Sequence, residues 1–127
     1  MIQGLAGVII WTVDLDRLVA FYRDTLGLTP HSVRPDFVAF SFGDVRLSLG
    51  RHSEVTGPSR DPYRIMVNLA VEDIQAVTVR LRQRGVAFVR EPEQEQWGGW
   101  VATFRDPDGN LLQLLQQPHA QLDRMAP

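Results

Sequence analysis

Apolar and polar positions alternate between two rhythms along the chain, and the change from one to the other marks its elements. Gly7 to Val13 is a short β-rich run. Asp14 then opens a segment in which Leu15, Leu18, Val19, Tyr22 and Leu26 recur at helical spacing, and Gly27 closes it. A strand near Pro30 to Val33 precedes two further strands, Phe37 to Phe42 and Val45 to Leu49, joined tightly at Gly43 and Asp44. From Arg51 to Pro62 the composition turns to Gly, Pro, Ser and charge without periodicity, as a connection does.

The same order then returns. Ile65 to Val71 is a strand, Asp73 caps a helix with Ile74, Val77 and Leu81 on its apolar face, and Gly85 ends it. Val86 to Val89 is the next strand, and the polar stretch Glu91 to Gln96 leads into a hairpin. Asp106-Pro107-Asp108-Gly109-Asn110 is turn chemistry: Pro107 fixes φ, Gly109 accepts positive φ, and the aspartates can bond their own backbone. The arm after the turn sets Gln113 among Leu111, Leu112, Leu114 and Leu115, a strand covered on both faces. The chain therefore reads as an α+β fold of two tandem βαβββ modules. They form a curved mixed sheet around a central cup in which a ligand should sit. Module one spans about 4–50, a linker 51–63, module two about 64–117 and a tail 118–127, all within one domain.

Composition narrows the chemistry. A chain of 127 residues with 44% hydrophobic content can bury a core, and a net charge of −2 gives no general field for nucleic acid or an anionic membrane. No apolar run approaches spanning length and no signal-peptide pattern opens the chain, so a soluble cytoplasmic protein is expected. Cysteine is absent, which removes disulfides, thiolate ligands and thiol nucleophiles. All 13 basic side chains are arginine, so a lysine Schiff base is excluded as well.

The two helix openings, the segment Phe21-Tyr22-Arg23-Asp24-Thr25-Leu26-Gly27-Leu28 and the Asp106 to Asn110 turn together resemble the vicinal oxygen chelate superfamily. That group comprises glyoxalases, extradiol dioxygenases, fosfomycin-resistance enzymes and bleomycin-binding proteins, and one scaffold serves several activities. Its metal-dependent members place His, Glu or Gln at four strand positions, which the resemblance maps onto Gly7, Ser48, Met66 (Val67 if shifted by one) and Gln113. A catalytic divalent ion needs about three protein ligands, and Gln113 alone keeps a donor of the family kind. His31, His52 and His119 read as solvated surface residues. The expectation is no metal and no cofactor. The stretch Glu93 to Gly99 followed by the turn looks most like the metal-free bleomycin-binding branch. That branch implies a homodimer and a small aromatic or cationic partner. Trp97 then offers a stacking face, with negative charge from Glu91, Glu93 and Glu95.

Alternation along the strands sets Gly7, Ile9 and Trp11 on one face and Met66, Asn68 and Ala70 on the matching face of the second module. Trp11 is either a core tryptophan or a stacking surface. Asn68, in an apolar strand, requires a partner from the protein or from a ligand. Ser48 is small and leaves room. The candidate ligand-binding residues are Trp11, Ser48, Asn68, Trp97, Trp100 and Gln113. No Ser/His/Asp set and no convincing general base can be argued, so binding is favoured over catalysis. The alternative is a metal-dependent lyase or dioxygenase of the glyoxalase type whose ligands lie elsewhere.

Overall fold

A computed structural model describes residues 1–118, so His119 and nearly all of the expected tail lie outside the described residues. The chain divides into two compact units, Met1–Pro58 and a second beginning at Ser59. Each carries a four-stranded mixed sheet and one main helix, the βαβββ order written twice.

In the first unit, β1 (Gly7–Thr12) leads into α1 (Leu15–Ala20), then β2 (Ser32–Arg34), β3 (Phe37–Phe42) and β4 (Val45–Arg51). Sheet order is β1-β4-β3-β2, with β1 parallel to β4 and the other pairs antiparallel. The Asp14 carboxylate accepts from the Arg17 amide at 3.2 Å and so satisfies one of the free donors at the start of α1. Leu15, Leu18 and Tyr22 are buried and face the sheet. There they meet Val38, Phe40, Leu47 and Leu49, with the Tyr22 and Phe40 rings 6.4 Å apart. The helical periodicity of the sequence reaches Leu26, but the last turn is wider. Phe21–Thr25 is π-helical, and the Leu26 amide donates to the Phe21 carbonyl at 3.0 Å.

The second unit repeats the plan with β5 (Val67–Ala70), α2 (Ile74–Gln83), β6 (Phe88–Gln94), β7 (Trp100–Arg105) and β8 (Leu111–Gln116), in sheet order β5-β8-β7-β6. Asp73 accepts from the Ala76 amide at 3.1 Å, while the Gln116 side-chain oxygen accepts from the Ile74 amide at 2.7 Å, so two of the orphan donors of α2 are met. Ile74, Thr78 and Leu81 pack toward Ala102, Phe104, Leu112 and Leu114, all buried. In the β7–β8 turn the Asp106 carboxylate accepts from the Asp108 and Asn110 amides and from the Asn110 side chain at 2.9–3.0 Å.

The sixth strand departs from the pattern read in the sequence. Its pairing runs past Val89 through Glu91 to Gln94, a stretch whose polarity suggests a loop. The reason is its position: β6 is an outer strand paired to β7 alone, so its side chains need not be apolar. Among the described residues no helix is long and apolar enough to cross a membrane.

Candidate functional site

Side chains alternate across a strand, so the faces turned away from α1 and α2 can be read from the register. In the second unit, Asn68, Gln113 and Thr103 stand side by side on β5, β8 and β7. The Gln113 amide nitrogen donates to the Asn68 side-chain oxygen at 3.1 Å, and the Thr103 hydroxyl donates to the Gln113 side-chain oxygen at 3.4 Å. The partner that Asn68 requires is thus Gln113. Thr103 is buried and Asn68 exposed, so the row runs from the middle of the sheet toward solvent. It consists of neutral donors and acceptors.

Arg90 extends the row onto β6, as the register partner of Thr103. Strict alternation from Phe88 would turn Arg90 toward α2, but one extra residue in β6 before Arg90 and another before Glu93 shift the register twice. Arg90 and Glu93 therefore share the face of Gln113. The Arg90 guanidinium lies 3.3 Å from Glu93 and 3.0 Å from Glu95. Hydrogen bonding to Glu93 and then to Glu95 raises the guanidinium above its ordinary pKa, against a lowering by desolvation. Glu91 falls on the other face, paired with Arg82 of α2, whose guanidinium also covers the Phe88 ring at 5.3 Å. The negative charge expected from Glu91, Glu93 and Glu95 is therefore split between two faces and bridged to arginine on each.

The equivalent row of the first unit is Ile9, Ser48 and Ala39, in register across β1, β4 and β3. Ser48 and Ala39 are buried, and nothing ionisable stands there. One step along, Trp11 pairs with Gly50 and Gly50 with Phe37. Trp11 is 39% exposed, its ring centroid 6.0 Å from that of Phe37 and 5.1 Å, edge-on, from that of His52. His52 is thus a half-buried member of an aromatic group rather than a solvated surface residue, and its Nδ1 accepts from the Glu54 amide at 3.1 Å. A Cβ on Gly50 would lie 2.6 Å from the Trp11 ring and 2.8 Å from the Phe37 ring, so the rings rest directly on bare backbone.

The other two tryptophans are placed differently. Trp97 is 52% exposed in the turn between β6 and β7, its ring lying over Gly99. No described contact joins it to the Gln113 row. Trp100 pairs with Gln94 and Gln116, the latter a cap of α2, which assigns it to the helix side of its sheet rather than to the face of Gln113. Arg90, Thr103, Phe37 and Gly50 also stand on these faces without having stood among the sequence candidates. Counting back across the turn pairs residue 103 with 113, a signal that the hairpin already carried, whereas the shifts that turn Arg90 outward leave no periodic trace.

The positions at which metal-dependent relatives carry ligands do not fit a divalent ion. Gly7 has no donor, and a Cβ there would collide with the Arg46 carbonyl, so no larger residue fits this backbone. Ser48 is buried between aliphatic neighbours, Met66 offers only a thioether, and Gln113 bonds Asn68 and Thr103. Among the described residues no group of three or more His, Cys, Asp or Glu side chains is arranged to hold a metal ion.

Sequence and structure comparisons agree with this architecture. The chain is 31% identical over 117 residues to the glutathione transferase FosA of Serratia marcescens, covering 90% of this chain and 81% of that protein. It is 29% identical over 112 residues to a bleomycin resistance protein of Klebsiella pneumoniae, covering 81% and 84%. The solved structure of TnmS3, an antibiotic binding protein from Streptomyces sp. CB03234, superposes with a TM-score of 0.76 at 26% identity over 91% of this chain and 96% of that one. Since residues 4–114 match the family as a whole, the chain belongs to the Glyoxalase/Bleomycin resistance protein/Dioxygenase superfamily.

Proposed function

We propose that the protein is a metal-free binder of a small, flat, uncharged or cationic molecule, acting as a cytoplasmic homodimer of the drug-sequestering type. The observation that carries the reading is the Asn68–Gln113–Thr103 row, in which Gln113, the one family-type donor at the mapped ligand positions, is already bonded to neutral neighbours on both sides. Gln113 and Asn68 each keep further donors for a ligand after bonding one another. The Trp11, Phe37 and His52 rings supply stacking area of the kind that holds aromatic or cationic groups. The likeness to a bleomycin resistance protein and to an antibiotic binding protein supports the same class.

The test is a tryptophan-fluorescence titration against planar aromatic compounds, neutral and cationic, with bleomycin among them. Trp11→Ala should weaken binding of a hit by about tenfold or more, since a desolvated stacked ring contributes on the order of 1 kcal/mol beyond its area. Parent-like affinity in both Trp11→Ala and Trp97→Ala would remove the stacking role. A second reading, an enzyme, draws on the likeness to FosA, a glutathione transferase, and on the glyoxalases and dioxygenases that the superfamily's name includes; its metal-dependent form would be a lyase or dioxygenase of the glyoxalase type. Stoichiometric metal in protein purified without chelator would favour that reading and overturn the first.

A further inference from the structure

We propose that Arg90 is an anion-recognising residue held masked by Glu93 and Glu95, and that this pair of carboxylates sets the charge preference of the second unit's open face. The inference rests on the binding function proposed above and names the class of ligand that this face refuses. Its ground is the path of β6. Two inserted residues over a short strand bring Arg90 and Glu93 to the same side as Thr103, which a regular strand would not do. Glu95, at the end of the strand, closes on Arg90 from the turn. The turn is itself tied, since the Glu95 amide donates to the Gly99 carbonyl at 2.7 Å and the Gly98 amide to the Glu95 carbonyl at 2.9 Å.

The charges decide what such an arrangement admits. One guanidinium between two carboxylates leaves a net charge of −1 beside a row of neutral amide and hydroxyl groups. A carboxylate or phosphate on a ligand must displace a carboxylate tethered to the same strand, whose effective concentration exceeds that of any free anion. A neutral or cationic head group meets no such competition. Arg90 is only partly exposed and Glu95 less so, which limits screening of that contact by solvent, whereas the more exposed Glu93 is screened and holds Arg90 less firmly. The fork of Arg90 nevertheless suits bidentate binding of a planar anion once it is released.

The experiment compares three matched probes, 2-naphthoate, 2-naphthyltrimethylammonium and 2-naphthamide, by calorimetry on the parent, Glu93→Gln/Glu95→Gln, and the same double variant with Arg90→Gln. Far-UV circular dichroism and the urea midpoint check that each variant is folded, and Glu93→Gln alone serves if the double variant is not. The parent should bind the ammonium and amide probes more tightly than naphthoate. The double variant should bind naphthoate at least tenfold more tightly than the parent does, and Arg90→Gln should abolish that gain. An unchanged naphthoate affinity in the double variant overturns the masking, as does a gain that survives Arg90→Gln. A parent that binds none of the three overturns the binding function and this inference with it, whereas amide binding with no switch of charge preference overturns this inference alone.

Discussion

Gly50 shows how much can hang on a missing side chain. Trp11 and Phe37 rest on its backbone, and a methyl group there would sit well inside van der Waals distance of both rings. Gly50→Ala should therefore tilt Trp11, change its emission, and cost about 1–3 kcal/mol, the usual range for overpacking a filled site. Intrinsic fluorescence and thermal unfolding measure both effects; an unaltered emission spectrum would mean that the ring is not seated there. At this scale the sequence speaks unevenly. Alternation alone puts Trp11 and Asn68 on the open faces, because β1 and β5 are regular and a period of two holds along them. It could not show that Asn68 bonds Gln113, since that contact joins strands 45 residues apart, whereas the count across the turn that pairs 103 with 113 also pairs Trp100 with Gln116 and sets it on the face opposite Gln113.

The elements were more legible than the residues. Each helix begins at an aspartate whose side chain takes a first-turn amide, and Gly27 and Gly85 adopt φ of 76° and 92° just beyond the helical segments. Asp73→Ala should cost roughly 1 kcal/mol and Asp73→Asn much less, because asparagine keeps the accepting oxygen. Urea unfolding of the two variants measures the difference. Gln116 still holds the Ile74 amide from β8, so α2 should shorten at its start rather than detach. The Asp106 to Asn110 turn is legible for the same reason as the caps: short side chains bonding nearby backbone need no distant partner. What escaped was β6, where polar composition concealed an outer strand and its irregular path, and with it the place of Arg90.

Across the molecule, the two units share a plan and divide their chemistry. The row Ile9, Ser48, Ala39 corresponds to Asn68, Gln113, Thr103; the first is aliphatic but for one serine, the second polar throughout. A face rich in aromatic and aliphatic groups, with Ile9 and Trp11 exposed, is of the kind that self-association covers. Light scattering at micromolar concentration should give twice the 14.4 kDa chain mass, and a monomer would refute the proposed dimer. The uneven course of β6 bears on this crowd of exposed apolar groups in another way. A flat outer strand is a template on which a stranger's strand can grow. Here Pro92 withholds a donor, the two inserted residues break the even spacing of the rest, and arginine and glutamate line the edge. The same irregular, charged edge that carries Arg90 is therefore a poor template for a neighbouring strand.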